Sequence, residues 1–206
     1  METRHTTQGI IVKAVPYQDF HRIITLFTPD KGLLSLFVRG AFKKGGGGSS
    51  TPLATVEVTY QEKATGLHAC LEIDALDMRL AIRQNLPSLE AACHMLRTVQ
   101  QSQVPEKAAP LLYQLLLFYL EKLPQTPCPA VLSTSFLLKT LRYEGLLAFP
   151  SASLQHALPA GFLLDEAEQA LTCVLALCDA HSQLLPLEVS PAFQKKIEHL
   201  FAHLLR

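Results

Sequence analysis

The sequence predicts an α+β protein in which a small β-barrel precedes an all-helical domain. Short runs of alternating β-branched and aromatic residues fill roughly the first third of the chain. From about Met78 onward, apolar residues instead recur at the three- and four-residue spacings of amphipathic helices. Hydrophobic residues make up 49% and charged residues 17% of the 206 positions, which is enough apolar material to build folded cores.

The predicted strands follow one another with turn-forming residues between them. Two strands lie within residues 9–28, a third lies at 33–40, and a hairpin runs from 55–63 into 67–75. Five short strands without an ordinary helix between them are typical of a small closed barrel, for which the OB-fold is the leading candidate. The segment AFKKGGGGSSTP between the third and fourth strands is predicted to be a flexible loop with two lysines at its base.

The second part of the chain carries helical patterns and the usual start and stop signals. The segment from Pro105 to Leu123 is apolar almost all round, which predicts a buried central helix. Ser190 is predicted to cap the last helix, and Gly145 is predicted to end an earlier one. The remaining helical segments start near residues 88, 130 and 165. The predicted domains are therefore residues 1–78 and 79–206.

No motif of an enzyme or of a metal site assembles in the sequence. The GGGGSS run lacks the lysine of a phosphate-binding loop, and neither H-E-x-x-H nor C-x-x-C occurs. Cys173 and Cys178 would lie about 140° apart around a helix, which does not favour zinc binding. His199 and His203 are interpreted as solvated. We expect no catalysis, no metal and no cofactor.

The sequence also indicates where the protein works. The first residues are polar, and no apolar stretch reaches the roughly 18–20 residues of a membrane span. The five cysteines are odd in number and scattered, as in proteins that keep their thiols reduced. We expect a cytoplasmic protein without a membrane partner.

Positive charge is concentrated at the N-terminus although the whole chain is neutral. Residues 1–50 contain seven Lys and Arg against three Asp and Glu, whereas the rest of the chain contains eleven against fifteen. Basic groups beside exposed aromatic rings are typical of a barrel that binds single-stranded nucleic acid. Alternatively, Phe27 and Phe37 fill the core and the cations are ordinary solvated charges. The basic candidates are Lys13, Arg22, Lys31, Arg39, Lys43 and Lys44, and the aromatic ones are Tyr17, Phe20, Phe27, Phe37 and Phe42.

Two segments resemble the RecO family. The first is GIIVKAVPYQDFHRIITLFTPDKGLLSLFVRGAFKK, at residues 9–44, and the second is FLLKTLRYEGLLAFPS, at residues 136–151. The resemblance implies a non-enzymatic recombination mediator whose OB-fold binds single-stranded and double-stranded DNA and promotes strand annealing. It also implies work with RecR, and docking of the acidic tail of single-stranded-DNA-binding protein on the helical domain, so that RecA is loaded. The six cations above become expected DNA contacts, and the candidates for binding the tail are Lys139, Arg142, Lys195 and Lys196.

The chain departs from the family pattern in two ways. Many members carry a four-cysteine zinc site where this chain reads SASLQHALPAGF, so no zinc finger is predicted. The loop after Lys44 lacks further basic residues, which predicts weak or salt-sensitive DNA binding. A protein–protein adaptor that has lost DNA binding therefore stays an alternative, as does an enzyme whose site lies between barrel and helices. A steep dependence of DNA binding on salt would distinguish the mediator from the adaptor.

Overall fold

The chain forms two compact units. A computed structural model describes residues 4–41, 49–64, 66–146 and 190–204. The first unit comprises Met1–Gln84 and Gln103–Gln114, and the second comprises Asn85–Ser102 and Leu115–Arg206. Residues 103–114 thus belong with the barrel although residues 85–102, which precede them in the sequence, belong to the second unit. The predicted division into domains 1–78 and 79–206 stays a prediction.

The first unit is built on a closed five-stranded barrel. Its strands are β1 (Arg4–Tyr17), β2 (His21–Thr28), β3 (Gly32–Val38), β4 (Thr55–Gln61) and β5 (Leu67–Asp77). They are hydrogen-bonded in the order β1-β2-β3-β5-β4, and β4 pairs with β1 to close the barrel. All pairs are antiparallel except β3 with β5. The predicted OB-fold barrel is confirmed.

Side chains that alternate along β2 and β4 fill the interior of the barrel. Ile24 and Leu26 of β2 are completely buried, as are Val56 and Val58 of β4, while the residues between them are only partly buried. Burial of each such side chain contributes about 1.5–3 kcal/mol. A period of two places every second residue on the inner surface, so the alternation seen in the sequence directly fixes the core.

The segment 103–109 runs along the barrel and corrects the predicted start of a helix. The Glu106 amide donates to the Leu33 carbonyl and the Ala109 amide donates to the Pro29 carbonyl, both at 3.2 Å. In a helix that began at Pro105, the Ala109 amide would donate to the Pro105 carbonyl instead, and Glu106, with φ of +60°, does not have a helical backbone. The helix predicted from Pro105 begins at Pro110 instead.

Two of the helices have the capping residues that the sequence predicts. The helices are α1 (Leu80–Arg83), α2 (Leu86–Ser102), α3 (Pro110–Lys122), α4 (Pro129–Tyr143) and α5 (Pro191–Leu204), with a 3-10 turn at Leu123–Gln125. The Phe193 amide donates to Ser190 Oγ at 3.2 Å, which confirms the predicted cap of α5. Gly145 follows α4 with φ of +72°, as predicted for a glycine at a helix end. The helix predicted to start near residue 165 lies outside the described residues.

Helix α3 is less buried than its composition suggests. Leu112, Leu116 and Leu120 are completely buried, but Leu111 is 66% exposed. The prediction of a helix buried all round is therefore wrong for one side of α3. In the second unit, Tyr119 and Ser135 share a buried hydroxyl–hydroxyl hydrogen bond of 2.8 Å. No helix of the described residues is long and apolar enough to cross a membrane.

Cys70 of β5 faces the barrel core, and burial raises the pKa of its thiol from 9.0 to about 11. Since only the thiolate attacks thiol reagents, about a thousandth of Cys70 is reactive at pH 8. In a Cys128→Ser/Cys173→Ser/Cys178→Ser background, we expect the exposed Cys93 to react at least a hundredfold faster than Cys70 with a disulfide reagent at pH 8. The Cys70 rate should rise about tenfold per pH unit up to pH 11. Equal rates for the two thiols would contradict the buried position.

Candidate nucleic-acid interface

Aromatic side chains collect on the outer surface of the barrel where β1 and β2 meet. Tyr17 ends β1 and pairs directly with His21, which opens β2. On the neighbouring strand β3, Phe37 pairs with Ile23. Phe37 points outward, because it alternates with the buried Leu36 and Val38. Phe20 lies in the turn between Tyr17 and His21. We call Tyr17, Phe20, His21 and Phe37 the aromatic patch.

Within the aromatic patch, the Phe37 ring contacts those of Tyr17 and His21, and the Tyr17 and Phe20 rings are accessible. The Tyr17 and Phe37 ring centroids are 5.8 Å apart with planes at 83°, and the His21 and Phe37 centroids are 5.2 Å apart. The Gly40 amide donates to His21 Nδ1 at 3.2 Å, which fixes the imidazole. Tyr17 is 44% exposed and Phe20 is 55% exposed. Such rings can stack on unpaired bases.

A tight turn holds the aromatic patch together. Only three residues connect β1 to β2, and Gln18 adopts the left-handed conformation with φ of +52°. Short hairpin connections of this kind fix the register of the two strands that they join. The register places Tyr17 opposite His21, where cross-strand side chains are close neighbours.

Two of the predicted DNA contacts lie on the same side of the barrel as the aromatic patch. Lys13 is exposed and pairs with Thr25, which alternates with the buried Ile24 and Leu26 and therefore faces outward. Arg39 is exposed in the turn that follows β3. Their ammonium and guanidinium groups are suitable for contact with phosphates.

The other predicted DNA contacts are placed differently. Arg22 lies on the same side of β2 as the buried Ile24. Its Nη1 donates to the Ser50 carbonyl at 2.7 Å and to Ser50 Oγ at 3.0 Å. Lys31 follows the opposite end of β2, and its Nζ lies 3.9 Å from Glu62 Oε1. The structure therefore does not bring these two cations to the aromatic patch. Lys43, Lys44 and Phe42 lie outside the described residues.

Acidic side chains occupy the outer surface of β4 and β5. Glu57 pairs with Asp74, and Thr59 pairs with Glu72, while the intervening Val58 faces the core. Gln8 Nε2 donates to Glu57 Oε1 at 3.0 Å and extends this polar surface onto β1. Carboxylates repel phosphates, so the charge pattern favours the side of Lys13 and Arg39 for a nucleic acid.

The sequence singled out the aromatic rings but did not separate buried from exposed ones. Phe27 is completely buried, and its ring lies 5.7 Å from that of Tyr113, so it is unavailable to a base. Phe37 faces outward instead. His21 was not predicted as part of a site, although it lies in the same outward phase as Ile23. The sequence of β2 does not reveal that phase, because Ile23 and Phe27 are as apolar as Ile24 and Leu26.

In the second unit, the predicted tail-binding cations do not line either described cavity. The larger cavity, of about 400 Å³, is bordered by α2, α4 and α5 residues that include Glu90, His94 and Gln194. The smaller one, of about 170 Å³, includes Arg97 and Phe201. The predicted residues lie elsewhere: Arg142 and Lys195 are exposed, Lys196 is partly buried, and Lys139 Nζ lies 5.4 Å from the Tyr119 ring centroid.

Among the residues that the structure describes, no group of three or more His, Cys, Asp or Glu side chains could hold a metal ion. The pair His199 and His203 is exposed on α5, as the sequence suggested. Cys173 and Cys178 lie outside the described residues.

Comparisons with known proteins identify the family. The family model described as "Recombination protein O N terminal" matches residues 1–79. A DNA repair protein RecO of Chlamydia pneumoniae is 30% identical over 152 residues, which cover 72% of this chain and 60% of the relative. A DNA repair protein RecO of Staphylococcus aureus is 28% identical over 142 residues, covering 68% of this chain and 57% of the relative. The chain thus spans about three fifths of the length of these relatives. The match to the N-terminal domain, the closed barrel and the related proteins all indicate the same family. The chain belongs to the RecO family.

Proposed function

We propose that this protein is a non-enzymatic DNA repair and recombination mediator that binds single-stranded DNA on the aromatic patch. The observation that carries the proposal is the exposure of Tyr17 and Phe20 on the same side of the barrel as Lys13 and Arg39. Stacking accepts any base, and cations contact any phosphate, so this combination binds single strands without strong sequence preference. The relatives' name, DNA repair protein RecO, supports the assignment to repair.

Stacking explains why single strands are preferred and how annealing is promoted. In a duplex the base faces are already stacked, so only Lys13 and Arg39 can contribute, and double-stranded DNA binds more weakly. A base that stacks on Tyr17 or Phe20 uses its flat face and leaves its Watson–Crick edge exposed. A complementary strand can then pair with it.

The wider assembly belongs to the same proposal. The acidic tail of single-stranded-DNA-binding protein docks on the helical unit, for which the exposed Arg142 and Lys195 offer positive charge. Together with RecR, the protein helps load RecA on DNA coated by that protein. A role on chromosomal DNA places this activity in the cytoplasm.

The test is the salt dependence of binding to a labelled oligonucleotide. We expect the logarithm of the binding constant to fall linearly with the logarithm of salt concentration, because phosphate contacts release counterions. The Lys13→Ala/Arg39→Ala variant should lose about 1.4 from the magnitude of that slope, at about 0.7 for each phosphate contact on a single strand. Fluorescence anisotropy between 50 and 200 mM salt measures the slope.

The matched control removes the same charge from the other unit. Arg142→Ala/Lys195→Ala also loses two exposed cations, and we expect it to keep the wild-type slope. If both double variants lowered the slope equally, net charge rather than the barrel surface would be responsible. Absence of binding at low salt would instead favour the protein–protein adaptor.

A further inference from the structure

One part of β5 has an unpaired edge. The parallel pairing of β3 with β5 ends at Val38 and Cys70, whereas β4 accompanies β5 to Asp77. From residue 71 to residue 77, strands of the described residues therefore pair with β5 on one side only. We call residues 71–77 the β5 extension. An unpaired strand edge offers backbone donors and acceptors to which another extended chain can add.

Two bulges turn leucines outward on the β5 extension. The pairing of β4 with β5 skips Leu71 and Leu76, at the two register shifts of that pair. A bulge changes the direction of the extra side chain. Leu71 is accordingly 44% exposed and Leu76 is 52% exposed.

The charges around these leucines have one sign. Glu72, Asp74 and Asp77 of the β5 extension are all exposed. The neighbouring Arg79, whose side chain is only 7% exposed, compensates one of them, because its Nη1 lies 3.6 Å from Asp77 Oδ2. Glu72 and Asp74 therefore set the charge of this surface. A phosphate backbone would be repelled here. A polypeptide that combines apolar and basic side chains would be complementary to this surface in both respects.

We propose that the β5 extension is a docking edge for a partner protein, which adds an extended segment of alternating apolar and Lys or Arg residues as a sixth strand. Backbone hydrogen bonds along residues 71–77 provide the affinity, and Leu71 and Leu76 contact the apolar side chains of the segment. Glu72 and Asp74 select its basic residues. This inference does not depend on DNA binding, since it concerns the side of the barrel opposite in charge to Lys13 and Arg39.

The probe is a labelled eight-residue peptide in which lysine and valine alternate, compared with the same peptide carrying glutamate in place of lysine. We expect the lysine peptide alone to bind and to slow hydrogen exchange of the amides in residues 71–77. The Glu72→Lys/Asp74→Lys variant should weaken binding about tenfold, as expected for two exposed charge pairs that become repulsive. Leu71→Ser/Leu76→Ser should weaken it by a similar factor. Leu111→Ser, which removes a still more exposed leucine from the same unit, should leave it unchanged.

Several outcomes would overturn the proposal. These are equal binding of the two peptides, no binding at millimolar peptide, protection confined to other strands, or equal effects of Leu111→Ser. Loss of self-association in the Leu71→Ser/Leu76→Ser variant, measured by sedimentation, would assign the edge to a second copy of the chain instead. The charge-neutral variants Leu71→Ser/Leu76→Ser and Leu111→Ser should retain wild-type affinity for single-stranded DNA, and every variant should retain wild-type thermal unfolding. This result separates failure of the docking proposal from failure of the DNA-binding proposal and from misfolding.

Discussion

Replacement of both Tyr17 and Phe20 by alanine is expected to lower the affinity for a single-stranded oligonucleotide at least about thirtyfold. Each base stacked on an aromatic ring contributes about 1–3 kcal/mol, so the loss of two rings removes at least about 2 kcal/mol. Because both side chains are about half exposed, the barrel should remain folded in the variant. Anisotropy titration at one fixed salt concentration measures the affinity.

Two comparisons make the stacking interpretation specific. The exchange Tyr17→Phe/Phe20→Tyr keeps both rings and should retain the affinity within about twofold. The alanine double variant should keep the wild-type salt slope, since no cation is removed. An unchanged affinity in the alanine variant, or an equal loss in Leu111→Ala, would exclude the aromatic patch as the binding surface.

The barrel could be predicted from the sequence because its strands alternate strongly. Inward residues such as Ile24, Leu26, Val56 and Val58 repeat with period two, and this period defines both the strands and the core. The start of α3 could not be predicted in the same way. The amides of Glu106 and Ala109 are taken up by carbonyls more than 70 residues away, and a local apolar pattern carries no information about such bonds.

The candidate site was only partly predictable for the same reason. Positive charge and aromatic rings identified the correct part of the chain, but the side on which each residue lies depends on strand phase. Arg22 shares the phase of the buried Ile24, so it bonds to Ser50. Lys13 follows a register shift in β1 between Ile11 and Lys13, which no composition argument reveals.

The β5 extension shows the limit of sequence reasoning most directly. Alternation over 67–75 predicted the strand, yet the two bulges that expose Leu71 and Leu76 appear only when β4 and β5 are aligned. Likewise, the acidic surface depends on Glu57 lying opposite Asp74 across the two strands. Residues that are distant in sequence create both features, so neither could be read from one strand alone.

Gly32→Ala is expected to cause the largest loss of stability, at about 2–5 kcal/mol in the free energy of unfolding. Gly32 has φ of +61°, a conformation that costs other residues about 1–2 kcal/mol. In addition, an alanine Cβ would lie 2.0 Å from the Lys107 carbonyl oxygen. That atom belongs to the backbone, so the segment 103–109 must shift, which adds about 1–3 kcal/mol of overpacking strain.

Gly66→Ala separates the steric cause from the conformational one. Gly66 has φ of +74°, but an added Cβ would meet nothing within 4 Å, so this variant should lose only about 1–2 kcal/mol. Urea denaturation monitored by circular dichroism measures both values. In Gly32→Ala, the displaced segment should also lose the bonds from Glu106 to Leu33 and from Ala109 to Pro29, and these two amides should exchange faster with solvent. The two substitutions could instead destabilise the protein equally and leave exchange at Glu106 and Ala109 unchanged. That result would show that the Lys107 carbonyl does not pack against Gly32.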